Sequence, residues 1–126
     1  NYSTYIDNTF NPVQYGELKL NGHNRFQKRE GNYFNYVQPY QHFSKTPSDG
    51  INVYSFSINP EEHQPSGCCN MSRIDNSSLI INLENENENI NMFIKKWLGK
   101  TIINIYTVNY NVLRIMGGMA GLAYLN

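Results

Sequence analysis

Five side chains of this 126-residue chain are of the types that bind metal ions, namely His23, His42, His63, Cys68 and Cys69. A zinc site uses three or four such ligands, usually at short spacing. The histidines are scattered through polar stretches, so only His63 with the two cysteines approaches that spacing. We predict a strand over residues 68–74, in which neighbouring side chains point to opposite faces, and the two thiols are then kept apart. The sequence therefore predicts no metal site and no cofactor.

Paired carboxylates are a second source of chemistry, and Glu61 and Glu62 are neighbours in a segment bounded by prolines. Carboxylates that act as acid and base face each other across a cleft, which consecutive residues rarely do. A solvated turn is the favoured interpretation. No serine stands in a G-x-S-x-G motif, and neither cysteine stands in a context typical of a catalytic nucleophile. We therefore predict that the chain is not an enzyme.

A glycine-rich stretch near the end of the chain contains Gly117, Gly118 and Gly121. It lacks the Lys-Ser/Thr pair that follows the glycines of a phosphate-binding loop. The apolar run around it is short and contains Arg114, so a membrane-spanning segment is not expected. Glycines that let two backbones approach closely are the simpler interpretation.

Three N-glycosylation acceptor patterns occur, beginning at Asn1, Asn70 and Asn76. Chance matches are expected because asparagine accounts for 20 of the 126 residues, an excess that we interpret as a compositional bias of the genome. Asn70 also falls in the strand predicted above. Asn70 and Asn76 are retained as candidate glycosylation sites.

The composition restricts the function classes further. Ten basic and ten acidic residues give a formal net charge of zero, which excludes binding to nucleic acid by phosphate neutralisation. A neutral protein has little charge repulsion against self-association. Adjacent cysteines cannot form a disulfide framework. Because the chain begins with Asn1 and shows no leader pattern, we expect it to be a piece of a longer protein.

Hydrophobic alternation predicts β-strands in the first half. The segment 16–22 alternates and ends in the turn dipeptide Asn21-Gly22, and residues 51–58 form the strongest strand candidate. Residues 23–50 are polar but rich in aromatic side chains, so we predict a long loop that its own side chains pin down. A short helix over 30–37, ended by Pro39, lies within it.

The second half continues the strand pattern around a polar interruption. Residues 59–67 contain two prolines and are predicted as a loop, and the Asn/Glu-rich stretch 82–91 as a solvated protrusion. A short helix is predicted over 92–98. Apolar residues on both faces of 101–110 predict a central strand buried on two sides. Further strands are expected at 68–74, 79–83, 112–116 and 120–125. Short strands joined by Gly, Pro and Asn turns predict an antiparallel, all-β sandwich.

Several strings of residues, in order from Leu18 to Asn126, together resemble one family. They are LNGHNRF at 20–26, YFN at 33–35, VQPY at 37–40, GINVYSF at 50–56, PEEHQPSG at 60–67, NMSRIDN at 70–76 and VNYNVLRI at 108–115, followed by the final residues. The chain is identified by them as similar to the major capsid proteins of the nucleo-cytoplasmic large DNA viruses of eukaryotes.

The resemblance implies two consecutive jelly rolls per subunit, with residues 1–126 forming the C-terminal portion of the second. It further implies trimeric, pseudo-hexagonal capsomers that contact one another and minor capsid proteins in an icosahedral shell, assembled in the host cytoplasm. A jelly roll has eight strands, and six or seven are expected here, so the sandwich is predicted to be incomplete. The loop from Phe26 to Phe43 is expected to supply contact surface, with Arg25, Arg29 and Glu30 as rim charges or as ordinary solvated residues.

Two other functions share the predicted architecture. A jelly-roll carbohydrate-binding module would need exposed aromatic rings beside amide or carboxylate groups, a set that Tyr33, Asn35 and Tyr36 imitate. A cupin-type enzyme would need histidine and carboxylate ligands on strands, whereas the three histidines lie in predicted loops.

Overall fold

A computed structural model describes residues 11–83 and 102–124 of the chain. By contact, the chain divides into two compact units, Asn1–Glu86 (the first unit) and Asn87–Asn126 (the second unit). In chain order the elements are β1 (Val13–Leu20), β2 (His23–Glu30), a π-helix (Tyr33–Val37), α1 (Gln38–His42), a 3₁₀ helix (Met71–Arg73), β3 (Ser77–Leu83), β4 (Leu113–Met116) and β5 (Met119–Leu122).

The strands β1 and β2 form an antiparallel hairpin around the predicted Asn21-Gly22 turn. Both turn residues have positive φ, 51° for Asn21 and 80° for Gly22, which a type I′ turn requires at its two central positions. The predicted strand and turn are confirmed. The polar loop predicted from residue 23 onward is wrong over β2, which lies at the edge of its sheet with all but one of its side chains exposed. An edge strand open to solvent needs no apolar alternation, so the usual signal is absent.

The strand β3 pairs with the other side of β1, giving a three-stranded antiparallel sheet in the order β2-β1-β3. The hairpin turn also holds the residues that lead into β3. The Asn21 side-chain oxygen accepts the backbone N–H groups of Asp75 (3.0 Å) and Asn76 (3.1 Å). The Asn21 backbone N–H donates to the Asn76 carbonyl at 2.7 Å. One asparagine therefore forms the turn and also positions the neighbouring strand.

Helical structure runs from residue 31 to residue 42, longer than the predicted helix over 30–37. Pro39 was expected to end the helix, but it occupies the first turn of α1 and is fully buried. Its missing N–H costs nothing there because the first-turn N–H groups of an α-helix have no intrahelical partner. The widened π-helical turn immediately before α1 accommodates the proline without breaking the helical course.

Two predicted strands of the first unit are not strands. Residues 51–58 belong to no ladder and include bends at 56–58. The helical segment rather than a neighbouring strand binds their backbone, through the side chains of Asn35 and Gln38 and the carbonyl of Phe34. Residues 68–74 are irregular and contain the 3₁₀ helix, which Asn70 caps by accepting the Ser72 N–H. This capping turn competes with the extended conformation. Residues 59–67 form the predicted loop, and the strand predicted over 79–83 is confirmed as part of β3.

In the second unit, β4 and β5 form an antiparallel hairpin whose turn residues, Gly117 and Gly118, have φ of 57° and 80°. This confirms the two terminal strands and the turn glycines, although the last strand ends at Leu122 rather than at residue 125. The interpretation that Gly117, Gly118 and Gly121 let two backbones approach closely is wrong among the described residues, because a Cβ at any of them would meet nothing within 4 Å. The predicted central strand over 101–110 is wrong in this structure, since residues 102–110 join no ladder and are exposed. No other strand of the described part of the second unit lies beside them, and a β-ladder requires such a partner. The predictions for 84–91 and 92–98 lie outside the described residues.

Candidate interaction surface

The first unit is organised by two buried amides on the helical segment, Asn35 and Gln38. Asn35 is 0% exposed. Its Nδ2 donates to the Ile51 carbonyl at 3.2 Å and its Oδ1 accepts the Gly50 N–H at 3.1 Å. The Gln38 Oε1 accepts the Ser55 N–H at 3.2 Å. The Val53 N–H also donates to the Phe34 carbonyl at 3.0 Å. Two side-chain amides and one backbone hydrogen bond thus attach the segment 50–57 to the helix.

A second amide pair joins the start of β1 to the same segment. Asn11 and Asn52 exchange two hydrogen bonds, with Nδ2 to Oδ1 distances of 2.8 and 3.1 Å. Asn11 Oδ1 also accepts the Val13 N–H. Gly31 packs against this corner so closely that a Cβ atom there would overlap the Val13 carbonyl oxygen. The backbones of β1 and the helical segment can meet in this way only at a glycine.

Aromatic rings fill the space between the sheet, the helix and segment 50–57. Phe34, the buried large apolar side chain among the described residues, lies 5.3 Å from Phe26 and 5.2 Å from Tyr33 between ring centroids. Tyr54 lies 4.7 Å from Phe26 and 5.0 Å from Phe56. These separations are those of favourable tilted and edge-to-face ring pairs. The prediction that aromatic side chains pin the region after residue 23 is confirmed.

The predicted rim charges lie on the exposed edge strand β2. Arg25 and Arg29 stack over the rings of Phe56 (6.0 Å to the centroid) and Tyr33 (5.4 Å). Lys28, which the sequence reasoning did not single out, lies 3.5 Å from the Tyr15 ring centroid. Each contact orients a cation through the ring quadrupole while leaving it accessible. Glu30 ends the strand and is exposed.

The outer side of the helical segment presents apolar and aromatic groups. Tyr36, Val37 and Tyr40 are exposed and line a shallow depression with Thr46. The Tyr36 hydroxyl donates a 2.6 Å hydrogen bond to Asp49. This hydrogen bond raises the pKa of Tyr36 above its ordinary value, with smaller contributions from desolvation and from the Asp49 charge. Because Asn35 is fully buried, it cannot join Tyr33 and Tyr36 in binding a sugar, as the carbohydrate-binding alternative required.

The loop 59–67 is closed at its neck by Ser66, whose hydroxyl donates to the Asn59 carbonyl (3.1 Å) and accepts the Asn59 N–H (2.8 Å). Glu61 lies in an exposed turn, as the sequence analysis interpreted it. Its carboxylate also accepts hydrogen bonds from the Ser44 N–H at 2.8 Å and from the Ser44 hydroxyl at 3.1 Å. The loop is therefore a fixed protrusion. Glu61 and Glu62 do not face each other across a cleft that the structure describes.

The candidate metal ligands are not gathered together. His23 begins β2 and His42 ends α1, so these two are not in loops as expected, whereas His63 lies in the loop 59–67. The His42 Nδ1 lies 2.8 Å from the Ile58 carbonyl oxygen. Within residues 11–83 and 102–124 no three His, Cys, Asp or Glu side chains are grouped so that they could hold a metal ion. Asn70 and Asn76 are both exposed, and Asn70 lies in an irregular turn rather than in the predicted strand.

The second unit is predominantly exposed and apolar. Every large hydrophobic residue on the following list is more than half exposed: Ile102, Ile103, Ile105, Tyr106, Val108, Tyr110, Val112, Leu113, Ile115, Met116, Met119, Leu122 and Tyr124. Asn111 closes the base of the β4–β5 hairpin, donating to the Tyr124 carbonyl at 2.8 Å and accepting the Tyr124 N–H at 3.1 Å. An exposed apolar surface of this kind marks an interaction site.

Comparison with known proteins identifies the family to which the chain belongs. The family model described as "Large eukaryotic DNA virus major capsid protein" matches residues 1–121. The chain therefore belongs to the major capsid protein family of the large eukaryotic DNA viruses, as the sequence strings predicted.

Individual relatives agree with the family. The chain is 55% identical over 116 residues to the major capsid protein of Phaeocystis pouchetii virus, covering 92% of this chain and 21% of that protein. It is 46% identical over 127 residues to capsid protein 1 of Acanthamoeba polyphaga mimivirus, covering 100% of this chain and 21% of that protein. The chain thus spans about a fifth of the length of these relatives.

Among solved structures, the chain resembles a quasi-atomic model of the PBCV-1 virus capsid. The TM-score is 0.67 at 37% sequence identity, over 90% of this chain and 30% of that chain. The crystal structure of PBCV-1 VP54, fitted into a reconstruction of the virophage Sputnik, matches with the same values. The predicted fold class is confirmed: an antiparallel, all-β jelly-roll fold with long loops and short helices.

Within the described ranges, no helix has the length and apolar character needed to cross a bilayer. The contact-forming residues that the sequence reasoning missed are chiefly amides, Asn11, Asn35, Gln38 and Asn52. The three-residue spacing of Asn35 and Gln38 placed them on one helix face. Because the asparagine excess was interpreted as a bias of the genome, the spacing of these amides was not considered as a structural signal.

Proposed function

We propose that this chain is the C-terminal portion of the second jelly roll of a capsid subunit that assembles into trimeric, pseudo-hexagonal capsomers. In this proposal the capsomers tile the icosahedral shell of a large eukaryotic DNA virus in the host cytoplasm and contact neighbouring capsomers and minor capsid proteins. The subunit acts through contact geometry, without catalysis and without direct binding to nucleic acid.

The observation that carries the proposal is the exposure of apolar side chains in the second unit. A two-stranded hairpin is marginally stable in water unless its apolar face packs against something else. Residues 102–110 have the β-branched and aromatic composition of a buried strand, yet Val108 is 102% exposed. Since the chain spans about a fifth of its relatives, we propose that strands from the rest of the subunit pair with 102–110 and cover the hairpin.

The first unit supports the second part of the proposal, the contacts between subunits. Its edge strand carries three cations held over aromatic rings, and its helix presents Tyr36, Val37 and Tyr40 outward. Aromatic residues and arginine are enriched at protein–protein interfaces. Because the scaffold behind them is held by buried amides, these groups are presented in a fixed arrangement suited to repeated assembly contacts.

The test compares the full-length protein with residues 1–126 expressed alone, using light scattering to measure mass in solution. We expect a stable trimer for the full-length protein, and aggregation or an unfolded state for the fragment. In the full-length protein, V108E should prevent folding or trimer formation, because it places a charge in the proposed sandwich core. The matched control Q64E lies in the exposed loop 59–67, outside the proposed contact surfaces, and should leave the trimer intact.

A fragment that is a well-folded monomer at high concentration would overturn the proposal, as would a full-length V108E protein with unchanged mass and stability. In that case a glycan-array screen would test the carbohydrate-binding alternative directly.

Asn70 and Asn76 are proposed as glycosylation sites of the assembled protein. Both are exposed, and Asn70 uses its Oδ1 to accept the Ser72 N–H. Intact-mass measurement of protein from virions, compared with the N70Q and N76Q variants, tests this. A mass equal to that of the unmodified chain would remove both sites.

A further inference from the structure

Three sulfur atoms lie within four consecutive residues of the first unit, on Cys68, Cys69 and Met71. Both cysteines are free. The Cys69 Sγ lies 3.8 Å from the Met71 Sδ. The expectation that the two thiols point to opposite faces depended on a strand, and no strand exists here. The thiols of Cys68 and Cys69 are therefore not held on opposite faces of a strand.

The local backbone brings Met71 back toward Cys69. Asn70 caps the 3₁₀ helix by accepting the Ser72 N–H at 3.1 Å. The Arg73 N–H donates to the Asn70 carbonyl at 3.2 Å, and the Ile74 N–H donates to the Met71 carbonyl at 3.2 Å. These bonds fix the turn on which Met71 stands. Cys68 directly precedes Cys69 in the chain, and its side chain is exposed.

We propose that Cys68, Cys69 and Met71 form a binding site for a soft monovalent metal ion, Cu(I). Two sulfur ligands about 2.3 Å from one metal, at angles between tetrahedral and trigonal, stand roughly 3.8–4.0 Å apart. The observed separation of 3.8 Å meets this requirement without a change in backbone conformation. On binding, the two thiols release their protons to solvent and Cu(I) keeps its oxidation state, so no oxidant or reductant is consumed.

The ligand types select this ion over zinc. Thiolate and thioether sulfur favour Cu(I), whereas zinc sites draw on cysteine, histidine and carboxylate groups and usually take four ligands. No group of three His, Cys, Asp or Glu side chains is available for zinc within the described ranges. A thioether beside two thiols is therefore best matched to a low-coordinate, soft cation.

The test is anaerobic titration of the full-length, reduced protein with Cu(I), in competition with a chromophoric Cu(I) chelator. We expect one ion per chain, with X-ray absorption showing two or three sulfur neighbours. C69S should weaken Cu(I) binding by about 100-fold, and M71L by less, since a neutral thioether is the weaker ligand. N70A, which removes the cap of the turn, should weaken binding by about tenfold.

M119L is the matched control, because it makes the same change at a methionine outside the sulfur cluster and should leave Cu(I) affinity unaltered. Circular dichroism of every variant checks that the fold is retained. Equal Cu(I) affinity for the wild type and the C68S/C69S variant would overturn the proposal. So would a Cu(I)-dependent doubling of mass, which would place the ion between two chains.

Discussion

The two units of this chain differ in how far their polar and apolar side chains are buried. In the first unit the interior is assembled from amides and aromatic rings, and the buried polar side chains all have hydrogen-bond partners within the described residues. In the second unit the apolar side chains of 102–124 are exposed, and the hairpin is held by its own ladder and by Asn111 at its base. A region that satisfies its own groups can act as a rigid platform, whereas a region with exposed apolar strands depends on further protein.

The largest expected effect compares one glycine from each unit. G31A should destabilise the protein by about 3 kcal/mol, because the new methyl group must displace the backbone of β1. G121A should change stability by less than about 0.5 kcal/mol, since a Cβ there meets no atom of the described residues within 4 Å. Thermal unfolding of the full-length variants measures both.

Similar losses for the two glycine variants would show that Gly31 is less constrained than its surroundings indicate. A large loss of stability for G121A alone would indicate that a partner strand packs against β5 in the full-length protein.

A smaller effect is expected at the amides. N35A should cost about 2 kcal/mol, because it leaves the Gly50 N–H and the Ile51 carbonyl without their partners. N111A should cost about 0.5 kcal/mol, since water can replace its hydrogen bonds at an exposed hairpin base. Hydrogen–deuterium exchange should report faster exchange over residues 50–57 in N35A. Unchanged protection of that segment would contradict the proposed role of the buried amide.

The smallest effect concerns the exposed Tyr36–Asp49 pair. The raised pKa of Tyr36 means that the folded state favours the neutral phenol. The stabilisation is therefore complete below the ordinary tyrosine pKa of about 10 and is lost as pH rises through the higher folded-state value. Y36F should be slightly less stable than the wild type at pH 8, and the difference should shrink above about pH 10. A difference that grows with pH would contradict the assigned hydrogen bond.

Short-range signals predicted the turns well. Asn21-Gly22 and Gly117-Gly118 are turns because they supply positive φ at low cost, which is a property of the residues themselves. The strands flanking them, β1, β4 and β5, follow from the same local pattern. The family strings likewise needed no structure, because their residue identities persist in order along the chain.

The failures share a different cause. Residues 51–58 and 102–110 have strand-like composition, but a strand exists only where another strand offers its N–H and C=O groups. Residues 51–58 have no such partner strand among the described residues, and the side chains of Asn35 and Gln38 hydrogen-bond to their backbone. The sequence analysis placed the thiols of Cys68 and Cys69 on opposite faces of a predicted strand. The turn capped by Asn70 prevents that strand from forming.

The family, the all-β class and the hairpin turns could be predicted from the sequence, since they depend on residue identity and on contacts a few positions apart. The pairing of the strands, the edge position of β2 and the amide contacts between the helix and segment 50–57 became known from the three-dimensional structure. Those outcomes depend on hydrogen-bonding groups that lie from 15 residues apart, as for Asn35 and Gly50, to 70 residues apart, as for Val13 and Leu83. Local propensity does not predict such long-range hydrogen bonds, because it describes each residue only in relation to its near neighbours.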